Sequence, residues 1–132
     1  MGDIIQAFRV RSHGRGPGLQ LRLYFDSGTW RTFVKESVAA RLGPLMELPE
    51  PLVFGGLGNG RFESHTAVAF KIRILEIWCE EIGYVVADHV LEDRYDILIG
   101  HGFMQGYDIR LRPKRHTILA DRSALKMPSR VR

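Results

Sequence analysis

Apolar and polar residues alternate with a period of two over several short stretches of this chain, and turn-forming residues separate them. Ile4 to Arg11 reads as a first strand. Gly14-Arg15-Gly16-Pro17-Gly18 follows and is too glycine-rich for anything but a loop. Leu19-Gln20-Leu21-Arg22-Leu23 then alternates as a half-buried strand, so the two runs predict a hairpin. Phe33 to Leu42 predicts the one substantial helix. Phe33, Val34, Val38 and Leu42 would form its apolar face, and Gly43-Pro44 would close it. Leu45 to Pro51 is proline-punctuated and extended. Val53 to Phe62 holds four glycines, and its Asn59-Gly60 pair signals a tight hairpin with Phe54 and Phe62 on opposite arms. Strands are further expected over Ala67 to Ile77, over Glu81 to Asp88 and at Ile97-Leu98-Ile99-Gly100. A short helical turn is expected from Gly102 to Gln105, and a last hairpin from Ile109 to Leu111 and Thr117 to Ala120. The pattern is that of an all-β domain with one main helix.

Composition adds limits. With 132 residues the chain fits one domain large enough to bury a core. No stretch approaches the ~20 apolar residues of a membrane-spanning helix, so no membrane partner is expected. Met1-Gly2-Asp3 carries an early acid, and a secretory signal is not expected. The single cysteine, Cys79, cannot form an internal disulfide or a cysteine-clustered zinc site, and it fits a reducing, cytoplasmic setting. The net charge of +4 is unevenly spread. From Arg110 onward there are eight basic residues and one acid, against eleven basic and fourteen acidic residues before it. Residues 121–132 therefore read as a solvated basic tail after a domain spanning 1–120. That tail holds no aromatic side chain on which bases could stack, so nucleic acid is not the expected partner.

The candidate chemistry lies at Asp26-Ser27-Gly28, where an apolar strand ends abruptly in a carboxylate, a hydroxyl and a glycine. Alone, the tripeptide is an ordinary β-turn. Its setting is more informative: a hairpin and strand precede it, while a short helix, a glycine-tipped hairpin and Asp96-Ile97-Leu98-Ile99-Gly100 follow. Over about residues 4 to 120 this order resembles the retropepsin-like aspartic proteases, the single-domain family that includes retroviral proteases. The stretch Leu98-Ile99-Gly100, Phe103-Met104 and Tyr107-Asp108-Ile109 is similar to that family's second half. The chain departs from the family's usual residues at Thr29, Trp30 and His101-Gly102.

The resemblance implies a closed β-barrel with a β-hairpin flap, peptide or protein as substrate, and peptide hydrolysis by water activated between two carboxylates. With one Asp-Ser-Gly per chain, it implies a homodimer in which each copy supplies Asp26. Ser27 would hydrogen-bond across the dimer axis, and Gly28 would bring its N–H near the carboxylate. Gly55 to Gly60 would form the moving flap over an extended substrate, with Phe54, Gly55, Gly56, Leu57 and Gly58 as substrate-binding residues; Ile97 and Ile99 would line side-chain pockets or, the stronger reading for both, sit in the core. No cofactor and no metal are implied, and acidic or mildly acidic pH should favour the reaction.

Other readings carry less. The five histidines lack the spacing of a helical metal site. The glycines of 55–60 lack the Lys-Ser/Thr of a phosphate-binding loop, and Ser27 lacks a nucleophile-elbow context. Cys79, beside Glu80-Glu81, reads as an unreactive strand residue, and the acid pairs Glu80-Glu81 and Glu92-Asp93 read as solvated turns. Two further functions stay open. One is a non-catalytic retropepsin-like module that dimerises or binds peptides. The other is a small barrel whose basic tail binds nucleic acid.

Overall fold

A computed structural model describes residues 3–14, 16–55 and 60–129. Its strands are β1 (Ile4–Ser12), β2 (Leu19–Asp26), β3 (Phe33–Lys35), β4 (Leu45–Phe54), β5 (Phe62–Ile74), β6 (Ile77–Val86), β7 (Ile97–Gly100), β8 (Arg110–Arg112) and β9 (Thr117–Leu119). Helices α1 (Glu36–Leu42), α2 (His101–Gly106) and α3 (Arg122–Lys126) complete it. The main sheet runs β1-β2-β7-β3-β6-β5-β4, and β1 also pairs with β5, which closes six strands into a barrel and leaves β4 as an edge. Strands β8 and β9 form a separate two-stranded sheet. No helix among the described residues is long and apolar enough to cross a membrane.

Burial follows the sequence pattern closely in β2, where Leu21, Leu23 and Phe25 face the core and Gln20 and Arg22 face out. Strand β7 is buried along its whole length because it lies between β2 and β3 with both faces covered. Ile97 and Ile99 enter the larger core cluster, and Leu98 enters a second one with Phe33, Val86, Leu91 and Tyr95.

Three expectations are corrected. The run Phe33 to Leu42 is not one helix. Phe33-Val34-Lys35 is a strand inserted between β6 and β7, with Val34 opposite both Val85 and Ile97, and the helix starts at Glu36. Aromatic and β-branched residues favour that slot, and the cross-strand partners that create it lie ~50–65 residues away in sequence. Helix α1 also takes its N-terminal hydrogen bond from afar: Asp88 Oδ1 accepts from the Ser37 backbone N–H at 3.0 Å. That bond holds the Asp88 carboxyl below its usual range.

The second correction concerns β5 and β6. The strand expected to run on to Ile77 turns at Leu75 and Glu76, both with positive φ (48° and 66°), and β6 begins at Ile77. Glu80 and Glu81 are therefore inside a strand and not in a solvated turn. Neither turn residue is a glycine or asparagine, so the turn left no mark in the sequence. The pair Leu75→Asn, Glu76→Gly should stabilise the protein by about 1 kcal/mol, because asparagine and glycine tolerate the left-handed region that leucine and glutamate disfavour, and both positions lie on the surface. A higher urea midpoint is the expected reading; a lower one would show that the hairpin carries no such strain.

The third correction concerns the basic end. Residues 121–129 do not form a solvated tail. Asp121 caps α3 through the Ser123 N–H and hydroxyl, Leu125 is buried in the core, and the Ser129 N–H donates to the Gly106 carbonyl at 2.7 Å. Arg122 donates to the Leu75 carbonyl, which ties α3 to the β5–β6 turn.

Candidate active site

Strands β2 and β7 pair in parallel, and their register sets Asp26 opposite Gly100. Two apolar strands thus end side by side, and the first polar group beyond the core on β2 is the Asp26 carboxyl. The turn that follows engages both of its oxygens. The Gly28 backbone N–H donates to Oδ1 at 2.9 Å, and the Thr29 hydroxyl donates to Oδ2 at 3.1 Å. A side chain with two such donors is held in one orientation before any ligand arrives. Nearby, burial and then the Asp26 charge push the Tyr24 phenol up to about 12.

The chain after Thr29 passes over the junction of β7 and α2. The His101 N–H donates to the Thr29 carbonyl at 2.6 Å, the Gly102 N–H to the Trp30 carbonyl at 3.0 Å, and the Gly100 N–H to the Thr32 hydroxyl at 3.0 Å. The crossing is so close that a Cβ on Gly100 would fall on the carbonyls of Trp30 and Arg31. Two departures from the family's usual residues also answer each other here. A Cβ on Gly102 would sit 3.1 Å from the Trp30 ring, so the absent side chain of one makes room for the large one of the other. Trp30 packs against His101 with ring centroids 5.7 Å apart and stays 54% exposed.

Thr32 links this junction to the barrel wall. Its hydroxyl accepts from Gly100 and donates to Glu81 Oε2 at 2.5 Å, while Oε1 of Glu81 accepts from the Ile82 N–H at 2.9 Å. Burial pushes the Glu81 carboxyl above its ordinary value of 4.5, against the pull of those two hydrogen bonds. The folded protein keeps this proton to higher pH than the unfolded chain does. Its contribution to stability is complete below about pH 4.5 and is lost as pH rises through the folded value. Glu81→Gln should flatten that part of the stability profile. Urea midpoints taken at about pH 5 and about pH 8 would check it, and an unchanged slope would remove Glu81 as the cause.

The loop that holds the carboxyl also lines a cleft of ≈ 330 Å³ with Trp30, Arg31, Phe33, Phe54 and Gly55. A wider hollow of ≈ 800 Å³ between β6, α2 and α3 meets that loop only through Trp30, so the smaller cleft is the one that belongs to Asp26. Of the residues singled out in the sequence, Asp26 and Gly28 are brought together at the turn, Ser27 lies exposed between them, and Phe54 and Gly55 line the cleft. Phe54 stands opposite Phe62 across the β4–β5 hairpin, with ring centroids 5.5 Å apart. Gly56, Leu57 and Gly58 lie outside the described residues.

For Ile97 and Ile99 the core reading holds and the pocket reading is corrected: both are fully buried in the core and line neither the cleft nor the hollow. Parallel pairing on β2 and the cover over both faces of β7 turn them inward. Thr29, Thr32, Arg31 and Phe33 were not assigned to the site from the sequence. A threonine three residues after a candidate carboxylate is a usable signal; the others depend on long-range packing. The Cys79 thiol is pushed up to about 12 by burial, which keeps it protonated and unreactive. Among the described residues, no group of three or more His, Cys, Asp or Glu is placed to hold a metal ion.

Solved structures share this architecture. The EIAV protease complexed with the inhibitor HBY-793 superposes with a TM-score of 0.62 at 15% identity, covering 84% of this chain and 93% of that one. The retroviral protease-like domain of Ddi1 from Leishmania major gives 0.58 at 15% identity, covering 89% and 88%. No protein-family model and no curated protein matches the sequence. The chain has the retropepsin-like fold, a conclusion that rests on structure and not on sequence identity.

Proposed function

We propose that the protein is an aspartic endopeptidase that works as a homodimer. The observation that carries this reading is the Asp26 carboxyl, placed at the end of β2 on the cleft loop, with both oxygens held by Gly28 and Thr29. Asp26 sits behind that cleft, bonded to Gly28 and Thr29, which line it; no carboxylate is among the lining residues, and Ser27 and Gly28 lie exposed. The arrangement is half of a two-carboxylate site, and a two-fold axis through this surface supplies the other half.

Two carboxylates a few ångström apart hold one proton between them. The ionised member takes a proton from water, the water oxygen attacks the substrate carbonyl carbon, and the shared proton passes to the carbonyl oxygen. Collapse of the resulting diol breaks the C–N bond as the amine nitrogen takes up a proton. The β4–β5 hairpin, with Phe54 and Gly55 at the cleft, acts as the flap that covers an extended peptide. The fold likeness supports this reading, and the EIAV protease is itself a complex with an inhibitor.

The test is a peptide-library digest over a range of pH, with and without a statine-type inhibitor, repeated across protein concentrations. Cleavage should be inhibited by the statine, and specific activity should rise with concentration as the dimer forms. Cleavage by a strictly monomeric protein would overturn the mechanism. A dimer that binds peptides and cuts none would favour the non-catalytic module.

A further inference from the structure

The cleft beside Asp26 has one kind of wall and one charge. Trp30, Phe33 and Phe54 make the wall. Phe33 is buried and held edge-on by Phe54 at 4.9 Å and by Phe62 at 5.5 Å, so this surface is rigid and apolar. Two of the lining residues are polar. Thr29 already gives its hydroxyl to Asp26. Arg31 is the other, and it is placed with some care. Its guanidinium donates to the Tyr84 hydroxyl at 2.8 Å and lies 5.2 Å from the centre of that ring. None of the ion pairs among the described residues includes Arg31. Its remaining N–H groups make no hydrogen bond to a described residue.

A guanidinium that is oriented by a tyrosine and has donors to spare is matched to one ligand chemistry. Its planar fork fits a carboxylate in two-point contact, and an arginine already held in place loses less freedom on binding than a mobile one. A peptide lying in the cleft would exclude water from the contact and strengthen it. The geometry points to a substrate class: peptides that set a large apolar side chain against Trp30, Phe33 and Phe54 and carry an acidic side chain within reach of Arg31. Arg31 is then a specificity-determining residue of the cleft. This rests on the proposal that the cleft binds peptide substrates, and it adds which peptides those are.

The test is binding of short acetylated and amidated peptides, rich in Leu and Phe, in which Glu or Gln is moved through each position. Binding is measured by fluorescence polarisation on the full chain carrying Asp26→Asn, which cannot consume the peptide. At one position the Glu peptide should bind roughly 10-fold more tightly than its Gln counterpart. Arg31→Gln should erase that difference, and Arg31→Glu should transfer it to a Lys peptide. Arg31 is exposed, so these changes leave the fold in place. A preference that survives Arg31→Gln, no preference at any position, or no binding of either peptide would overturn the inference. The same peptides given to the unsubstituted protein separate the two ideas. Acid-selective binding without cleavage removes the protease reading and keeps the role of Arg31. Cleavage without acid selectivity removes the role of Arg31 alone.

Discussion

Asp26→Asn is expected to lower peptide cleavage by roughly 10³-fold or more, the loss that follows when the group moving the proton is removed. The fold should survive. Asparagine keeps one oxygen to accept the Gly28 N–H, and the Thr29 hydroxyl, which now donates to Oδ2, can turn and accept from the new amide. Thermal midpoint and circular dichroism should therefore stay close to those of the unsubstituted protein, while a fluorogenic peptide is left uncut. In a dimer with two copies of Asp26, a mixture of unsubstituted and Asp26→Asn chains should lose activity faster than the fraction of substituted chain rises, because each mixed dimer is also inactive. Activity that survives the substitution, or that falls only in proportion to it, would end the two-carboxylate mechanism.

Gly100→Ala should be the most damaging added methyl among the described glycines, costing about 3 kcal/mol or more. Its Cβ would meet the backbone carbonyls of both Trp30 and Arg31, and backbone cannot rotate aside as a side chain can. Relief requires the loop to lift off β7. That would break the Gly100–Thr32, His101–Thr29 and Gly102–Trp30 hydrogen bonds together and release the turn that holds Asp26. Gly102→Ala is the comparison. It meets the Trp30 ring edge and carbonyl at about 3 Å, so its cost should be nearer 1 kcal/mol. Chemical denaturation of the two variants measures the difference. Equal and small losses would mean that the crossing is looser than its hydrogen bonds imply.

These two substitutions mark different degrees of legibility. Asp26 is legible because three apolar residues, Leu23 to Phe25, run straight into a carboxylate that a hydroxyl and a glycine follow. Gly100 was visible only as the end of a compact apolar run, and its need to be glycine lies in carbonyls some seventy residues earlier in the chain. Trp30 and Gly102 each looked like a misfit in the sequence, and in space they are one fitted pair. Ile97 and Ile99 read better as core than as pocket residues, and only the pairing of β7 decides it, because an apolar side chain near a motif carries no record of which way it faces.

Local sequence was enough to determine the hairpins β1–β2 and β8–β9, the aromatic arms Phe54 and Phe62, and the one Asp-Ser-Gly of the chain. Those features depend on neighbours in sequence, whose spacing sets which face each residue takes. Tertiary structure alone decided that Phe33 to Lys35 would be a strand, that β5 and β6 would turn at Leu75-Glu76, and that residues 122–126 would be a packed helix. It alone joined Thr32, Glu81 and Gly100 and set Arg31 on Tyr84. Each of those outcomes rests on a partner distant along the chain, and the contact that pays for it exists only once the barrel has closed.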